Sequence, residues 1–465
     1  MIKNNNLSVE ITGNRFGDPR LTKRLRVILD SLAERPSLGL PRAMGSEAAL
    51  EGVYRFLKNP RVDSGRILGA HIEASCERAA KEGLVLVLHD TTVIRAKGEV
   101  SEDGFGVIGR RGVRGFYAHY ALGVGYQSEI PVGILGLEEH VRTGKKGRRP
   151  TKISLADEES EHKRWMRLVE KAESNLSQRA EAIHVMDREA DSYDHFTTLA
   201  DNGYRFVIRA AHDRNLDEGK LFALLKELPG IYEREVPLSK RVGGRTRFKS
   251  DLKIHPARES RTAKLTFSAT TVNMKRPPSS KANQEYLPLN IINIEELEPP
   301  KNQKPVHWVL WTTEPIGTIE NVLKVVDIYR NRWLIEEFFK AIKTGCSIEK
   351  RQLEGFKSLS NALAIFSIVA WRLLTLRNLS HTNPTAPASE VLTSLQIKIL
   401  IAISKQTLSQ APSAREALYA IAALGGHIPN NGPPGWLVLG RGFEDILLLE
   451  RHFNALKEVD DAINH

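Results

Sequence analysis

Apolar residues recur at helical spacing in Leu21–Leu32 and again in Ser46–Leu57. The two helices so predicted are separated by PSLGLPRAMG, whose prolines and glycines interrupt the pattern. The rhythm then changes. Leu84–His89 (LVLVLH) is a continuous apolar run of strand length, with Asp90 at its C-terminal end. Behind a glycine-rich turn segment, GFGVIGRRGVRG, Phe116–Val124 and Ile130–Leu137 read as two further strands, a meander with the first. Ala156–Ala172 is a charged amphipathic helix. Ile183–Met186 is a short strand that stops at Asp187, Asp191–Ala200 opens a helix, and Arg205–Arg209 is another strand. From Leu221 to Thr312 one short helical run is followed by brief alternating segments (IYEREVPL, AKLTFSATTV, LPLNIINI, HWVLWTT), which predicts a β-rich insertion. Tyr329–Lys343 (YRNRWLIEEFFKAIK) has no Pro or Gly and reads as one helix. Beyond it lie the strongly apolar Leu359–Leu376, a linker HTNPTAPAS, and two amphipathic helices, Ala414–Leu424 and Phe443–Leu456, on either side of GGHIPNNGPPG.

The order βββαβαβ, with carboxylates ending the first and fourth strands, is that of an α/β core built on an RNase H-like mixed five-stranded sheet with helices. The expected organisation is an all-α N-terminal domain over 1–75 and a core over 76–375 with a β-rich insertion at about 221–312 before the helix at 329–343. An all-α C-terminal domain over 376–465 completes it. Lys and Arg outnumber Asp and Glu by 67 to 56, which favours a polyanionic partner. The excess is uneven. Residues 1–61 carry 11 basic and 6 acidic side chains, and Lys240–Lys264 carries nine basic and two acidic. Val141–Lys152 holds six basic residues and no acid, on a loop that could either lie along a duplex or be solvated. Two cysteines make neither a disulfide framework nor a zinc cluster. With no signal-peptide pattern at the start and no apolar run of bilayer-spanning length, a soluble cytoplasmic protein without membrane contact is expected.

The candidate chemistry lies where these elements end. On a helical wheel Tyr329, Arg332, Glu336 and Lys343 share an arc of roughly 60°, beside an apolar arc of Ile335, Phe338, Phe339 and Ile342. Such a row is either a solvated face with an Arg332–Glu336 pair or the margin of a site. Asp90 and Asp187 are either turn formers and helix caps or ligands, and Asp187 has rivals in Glu189, Asp191 and Asp194. Hard divalent ions take oxygen ligands and keep waters, so a few carboxylates converging from rigid elements would serve phosphoryl transfer.

The spacing Y-x2-R-x3-E-x6-K from Tyr329 to Lys343, HDTT (His89–Thr92), MDREAD (Met186–Asp191), the N-terminal GDPRLTKRL and EGVYRFLKNP and the C-terminal ALYAIAALGGH stand together in one order. Jointly they resemble the insertion-sequence-four family of bacterial DDE transposases over nearly the whole chain. That resemblance implies a cut-and-paste DNA transposase. Asp90, Asp187 and Glu336 would be its catalytic carboxylates and its ligands for two Mg2+ ions, or Mn2+ in their place. Tyr329, Arg332 and Lys343 would hold DNA phosphate, with Arg209 a further DNA contact. Trp308 would stack on a flipped base, and Arg24 would contact the transposon end. It also implies hairpin DNA ends, double-stranded DNA partners at the transposon ends and target, a homodimer in the synaptic complex, and a setting on the bacterial nucleoid. The segment Ser380–Pro412 departs most from the pattern. A nuclease without strand transfer and a catalytically inactive DNA-binding regulator are the competing readings.

Overall fold

The computed structural model describes residues 7–11, 13, 15–34, 39–96, 104–108, 113–142, 163–238, 259–301, 303, 305–351, 353–404, 406–428 and 433–463. Most of the basic segment at 141–152 and most of that at 240–264 lie outside these residues. The chain is mixed α/β, with ten strands among the described residues, twice the number expected of the core alone. It divides into two compact units, one made of 1–181 and 333–465, the other of 182–332.

The first unit opens with helices α1 (Pro19–Glu34), α2 (Leu40–Met44), α3 (Glu47–Lys58) and α4 (Ser64–Glu82). Side chains of Ser46 and Asp63 accept the N–H groups of Ala49 and Arg66, and so cap α3 and α4. α2 lies inside the stretch whose prolines and glycines read as a break. Pro41 is tolerated there because it falls in the first turn, where its missing N–H has no helical partner to lose. Next come β1 (Leu84–Arg95), the short β2 (Gly106–Val107), β3 (Arg114–Gly125) and β4 (Pro131–His140). β3 pairs antiparallel with β1, β2 and β4. β1 does not stop at His89. Its pairing with β3 runs from Val85 to Arg95, because the β-branched residues Thr91, Thr92, Val93 and Ile94 continue the strand. Asp90 therefore sits inside β1, not at its end.

Helix α5 (Arg164–Leu176) follows; the earlier part of the expected charged helix, 156–162, lies outside the described residues. After the second unit the chain returns as α9 (Trp333–Lys340), a π-helical turn (Ala341–Gly345), α10 (Gly355–Thr382), α11 (Ser394–Ile403), α12 (Ala414–Leu424) and α13 (Trp436–Ile463). α11 falls in the tract that matched no pattern. α10 corrects the expectation that no apolar run reaches spanning length: it has 28 residues and is apolar enough, but its apolar window is wholly buried inside the protein. It packs on α3, α4, β4 and the π turn. Two of its polar side chains donate into the surrounding structure: Asn361 Nδ2 to the Leu57 carbonyl at 2.9 Å and Trp371 Nε1 to that of Pro131 at 2.9 Å.

The second unit holds β5 (Glu181–Met186), α6 (Tyr193–Asp201), β6 (Arg205–Arg209), α7 (Leu221–Glu227), β7 (Tyr232–Leu238), β8 (Arg261–Lys275), β9 (Tyr286–Leu297), β10 (His307–Thr312) and α8 (Ile319–Arg330). β5 and β6 are parallel. The inserted strands do not form a separate sheet: β10 pairs antiparallel with β6, and β9, β8 and β7 follow in antiparallel succession. Trp311 on β10 is fully buried against Phe196 of α6.

The helix expected over 329–343 is broken. α8 ends at Arg330 and α9 begins at Trp333. Asn331 N–H is shared among the carbonyls of Asp327, Ile328 and Tyr329, its side chain also donates to Asp327 O, and Arg332 N–H bonds Tyr329 O. Three-residue bonding and a competing Asn side chain tighten the last turn and end the helix. The arc drawn across the break therefore holds only for the apolar residues of α9, of which Ile335 and Phe338 are fully buried.

Candidate active site

In the second unit, the antiparallel register sets Leu310 opposite Arg209, so Trp308, two residues along β10, is Arg209's diagonal neighbour on the same sheet face. The Arg209 guanidinium carbon lies 6.0 Å from the Trp308 ring centroid, and its Nη2 donates to the His307 carbonyl at 3.1 Å. Trp308 is half-buried, and its ring meets that of Tyr329 edge to face at 5.4 Å. Arg332, two residues past the end of α8, brings its guanidinium carbon to 6.0 Å from the Tyr329 ring. Burial pushes the Tyr329 phenol's pKa up. The Arg332 and Arg209 charges pull it back, and the Asp187 carboxylate raises it further. Tyr329 is thus a neutral hydroxyl among two cations and a carboxylate, all within one unit.

Asp187 follows β5 directly, as expected. Its side chain accepts the Glu189 N–H at 2.8 Å and caps a short 3-10 turn, Arg188–Ala190, while remaining half-exposed. Its rivals separate clearly. Asp191 is buried and accepts from Ala211 N (2.5 Å), His212 N (3.1 Å) and Arg214 Nε (3.1 Å) and Nη2 (2.6 Å). It holds the loop after β6 in place. Asp194 is bonded by the Ser280 hydroxyl. Sequence alone carried no sign of the Asp191–Arg214 pair, which spans a strand and a helix.

In the first unit, Asp90 is register partner to Tyr120. The Tyr120 ring stands 5.2 Å from that of Phe338 on α9, and its hydroxyl bonds Ser367 Oγ on α10 at 2.7 Å. Directly paired residues share a sheet face, so Asp90 lies on the α9 side of the sheet. Half-exposed Glu336 is on α9, which packs on β1. The next pair, Thr91 and His119, faces the other way. There Arg164 Nε of α5 donates to Thr91 Oγ1 at 3.2 Å, Thr91 Oγ1 hydrogen-bonds His119 Nδ1 at 2.9 Å, and the His119 ring packs on Trp165 at 4.4 Å. Burial first, then Arg164, depresses the His119 pKa well below its ordinary value. Asp90 Oδ1 accepts the Thr91 N–H at 2.7 Å.

Glu337, the neighbour of Glu336, is buried and committed to structure: it accepts from Trp436 Nε1 at 2.9 Å and from Lys340 Nζ at 2.6 Å. Lys343 lies in the π turn. Burial lowers its pKa against the pull of Glu349, with Arg95 adding to the lowering. Arg24 is exposed on α1 and rests on Gly52 of α3, where a Cβ would fall 2.7 Å from its guanidinium. Within the basic strip at 240–264, Arg261 and Lys264 are engaged with Glu296 and Glu233. Among the described residues no three His, Cys, Asp or Glu side chains cluster as a metal-holding group. The donors to be considered for a metal are the separate carboxylates Asp90, Asp187 and Glu336, oxygen ligands of the kind hard divalent ions take.

An α/β chain with a basic, aromatic-lined cluster beside a carboxylate suits a protein that handles a nucleic-acid backbone. Comparison with protein families defines it further. A family described as Transposase DDE domain matches residues 83–371, and one described as Transposase DNA-binding matches residues 4–62. The first match covers more than half of the chain, which therefore belongs to the DDE transposases: it is a DNA-binding, DNA-transposing enzyme.

Proposed function

We propose that the protein is a cut-and-paste transposase of the insertion-sequence-four type, similar to the transposon-five transposase, with an RNase H-like core. The observation that carries this reading is the gathering of Arg209, Trp308, Tyr329, Arg332 and Asp187 in the second unit. Two guanidiniums suit bidentate contact with a phosphate, and a protonated phenol donates to one without repelling it. Trp308 offers a ring for a base displaced from a sharply bent DNA end, and stacking of that kind is worth about 1–3 kcal/mol. Lys343 supplies a further point charge.

Asp90, Asp187 and Glu336 are the carboxylates that would hold Mg2+, or Mn2+ in its place, at two ions per site; bound there, the cation supplies Lewis-acid polarisation for phosphoryl transfer. Water cuts one strand at each transposon end. The freed 3′-hydroxyl attacks the opposite strand to give a hairpin, which is reopened before the 3′ ends join target DNA. Residues 1–75, through Arg24, bind the transposon ends, the core over 76–375 carries the chemistry, and residues 376–465 bring two copies together in the synaptic complex. On α13, Leu449, Phe453 and Leu456 are 40%, 52% and 66% exposed at helical spacing, an apolar stripe suited to a second copy. The protein would act in the bacterial cytoplasm on nucleoid DNA.

The test is incubation of the purified chain with Mg2+ and a supercoiled plasmid carrying the flanking element ends, beside Glu336→Ala. Hairpin-ended excised fragments from the wild type alone are expected. Nicks without hairpins would replace this reading with a simple nuclease, and end binding without cleavage in either Mg2+ or Mn2+ would leave a DNA-binding regulator.

A further inference from the structure

The residue next to Glu336 leads away from the site. Glu337 is buried on α9, and its Oε2 accepts the indole N–H of Trp436 at 2.9 Å. Trp436 is the first residue of α13. Arg377 of α10 closes the arrangement, with its Nη1 3.6 Å from Glu337 Oε2 and its guanidinium carbon 4.7 Å from the Trp436 ring. One helical turn along α13, Gly440 comes against the π turn that continues α9: a Cβ at 440 would stand 3.5 Å from the Gly345 carbonyl oxygen. On its other side α13 is seated backbone to backbone on α12. A Cβ at Gly442 would lie 1.7 Å from Ile421 O, and one at Gly425 would lie 1.9 Å from Val438 O. No side chain fits at those two glycines, so the position of Trp436 is fixed by the helix beneath it.

Two contacts at i and i+4 on α13 thus bear on the element that carries Glu336, one a charge-assisted hydrogen bond and one van der Waals packing against the π turn. We propose that Trp436 and Gly440 are positioning residues for Glu336, and that through them the seating of the C-terminal helix sets the orientation of the catalytic helix. The inference rests on the reading of Glu336 as a catalytic carboxylate. It adds a mechanical link: whatever engages the exposed Leu449, Phe453 and Leu456 of α13 acts on the same helix that holds Glu337.

Three variants test it: Trp436→Phe, which keeps a ring and deletes the donor; Glu337→Gln; and their double. Two readouts are used on the full chain, turnover of plasmid cleavage at saturating DNA ends and hydrogen exchange of backbone amides. Each single variant is expected to lower turnover about tenfold, since small misplacements of a reacting group are costly. Affinity for a duplex carrying the transposon end stays unchanged, and the double is no worse than the poorer single because the two residues act as one unit. Exchange is expected to quicken in 333–345 and to stay at wild-type rates in the β1 amides. Wild-type exchange in 333–345, or an equal loss of protection across β1, would overturn the link and leave a merely stabilising contact. If the wild-type chain cleaves no DNA, the catalytic reading of Glu336 fails by itself, and the exchange pattern still decides whether α13 positions α9.

Discussion

Asp187 and Asp191 stand four residues apart in one acidic segment, and the structure gives them different surroundings. Asp191→Asn replaces a carboxylate whose side chain is fully buried and bonded by Ala211 N, His212 N and two nitrogens of Arg214. An amide offers one acceptor oxygen and turns an NH2 group toward donors, leaving the Arg214 guanidinium, itself only 15% exposed, without its charge partner. Breaking a buried pair in this way costs about 3–5 kcal/mol. For a unit of this size that lowers its melting transition by roughly 10 °C. Asp187→Asn is a different case. Asp187 makes one cap bond to Glu189 N at a half-exposed position, and Asn caps as well as Asp, so the cost is at most a few tenths of a kcal/mol. Thermal unfolding by circular dichroism and plasmid cleavage on the same preparations separate the two roles. The expected result is a thermally silent Asp187→Asn that does not cleave, beside an Asp191→Asn with a lowered transition. A large loss of stability in Asp187→Asn, or a thermally silent Asp191→Asn that has lost cleavage, would refute the assignment.

Trp308→Ala should slow hairpin formation, and an abasic substrate lacking the displaced base should restore it; a defect equal on both substrates would argue against stacking. Arg24→Ala should reduce the steepness of the salt dependence of end binding by about one counterion, measured as log K against log salt, while an unchanged slope would remove Arg24 from the phosphate contacts. Glu10 is buried beside His71 and Arg78. Burial works against its ionisation, but hydrogen bonds from His71 and Arg78 overcome it and lower its pKa from 4.5 to about 2. Its stabilising contribution is therefore complete above pH 4.5 and is lost as pH falls toward 2. Glu10→Gln should flatten that acid limb in thermal scans, and identical limbs in both proteins would contradict it.

Much of this architecture was open to reading because its signals are local. Apolar runs placed β1, β5 and β6, alternation placed the inserted strands, and Ser46 marked the start of α3. Errors arose where a distant partner decides, or where a side chain competes for the backbone locally. Thr91–Ile94 join β1 because β3 lies alongside, and the stop at Asn331 depends on hydrogen bonds that helix propensity does not register. The run in α10 read as just short of membrane length and holds Asn361 and Arg372, of which Asn361 donates to the Leu57 carbonyl within the fold. Within the site, residue types at fixed spacing singled out Tyr329 and Arg332, Arg209 and Trp308 came only from the family resemblance, and the register of β10 on β6 explains the nearness of Trp308 to Arg209. Nothing in the sequence joined Glu337 to Trp436, which are 99 residues apart and meet only through folding.

The pairing of β10 with β6 has a consequence for how such a chain can vary. The insertion starts after β6 and ends at β10, and these two strands pair with each other, so both ends of the excursion are anchored by the same ladder. Segments added or removed at its outer turns leave the register of Arg209 and Trp308 untouched. The excursion can therefore change length, charge and reach while the Arg209–Trp308 cluster at its root stays in place.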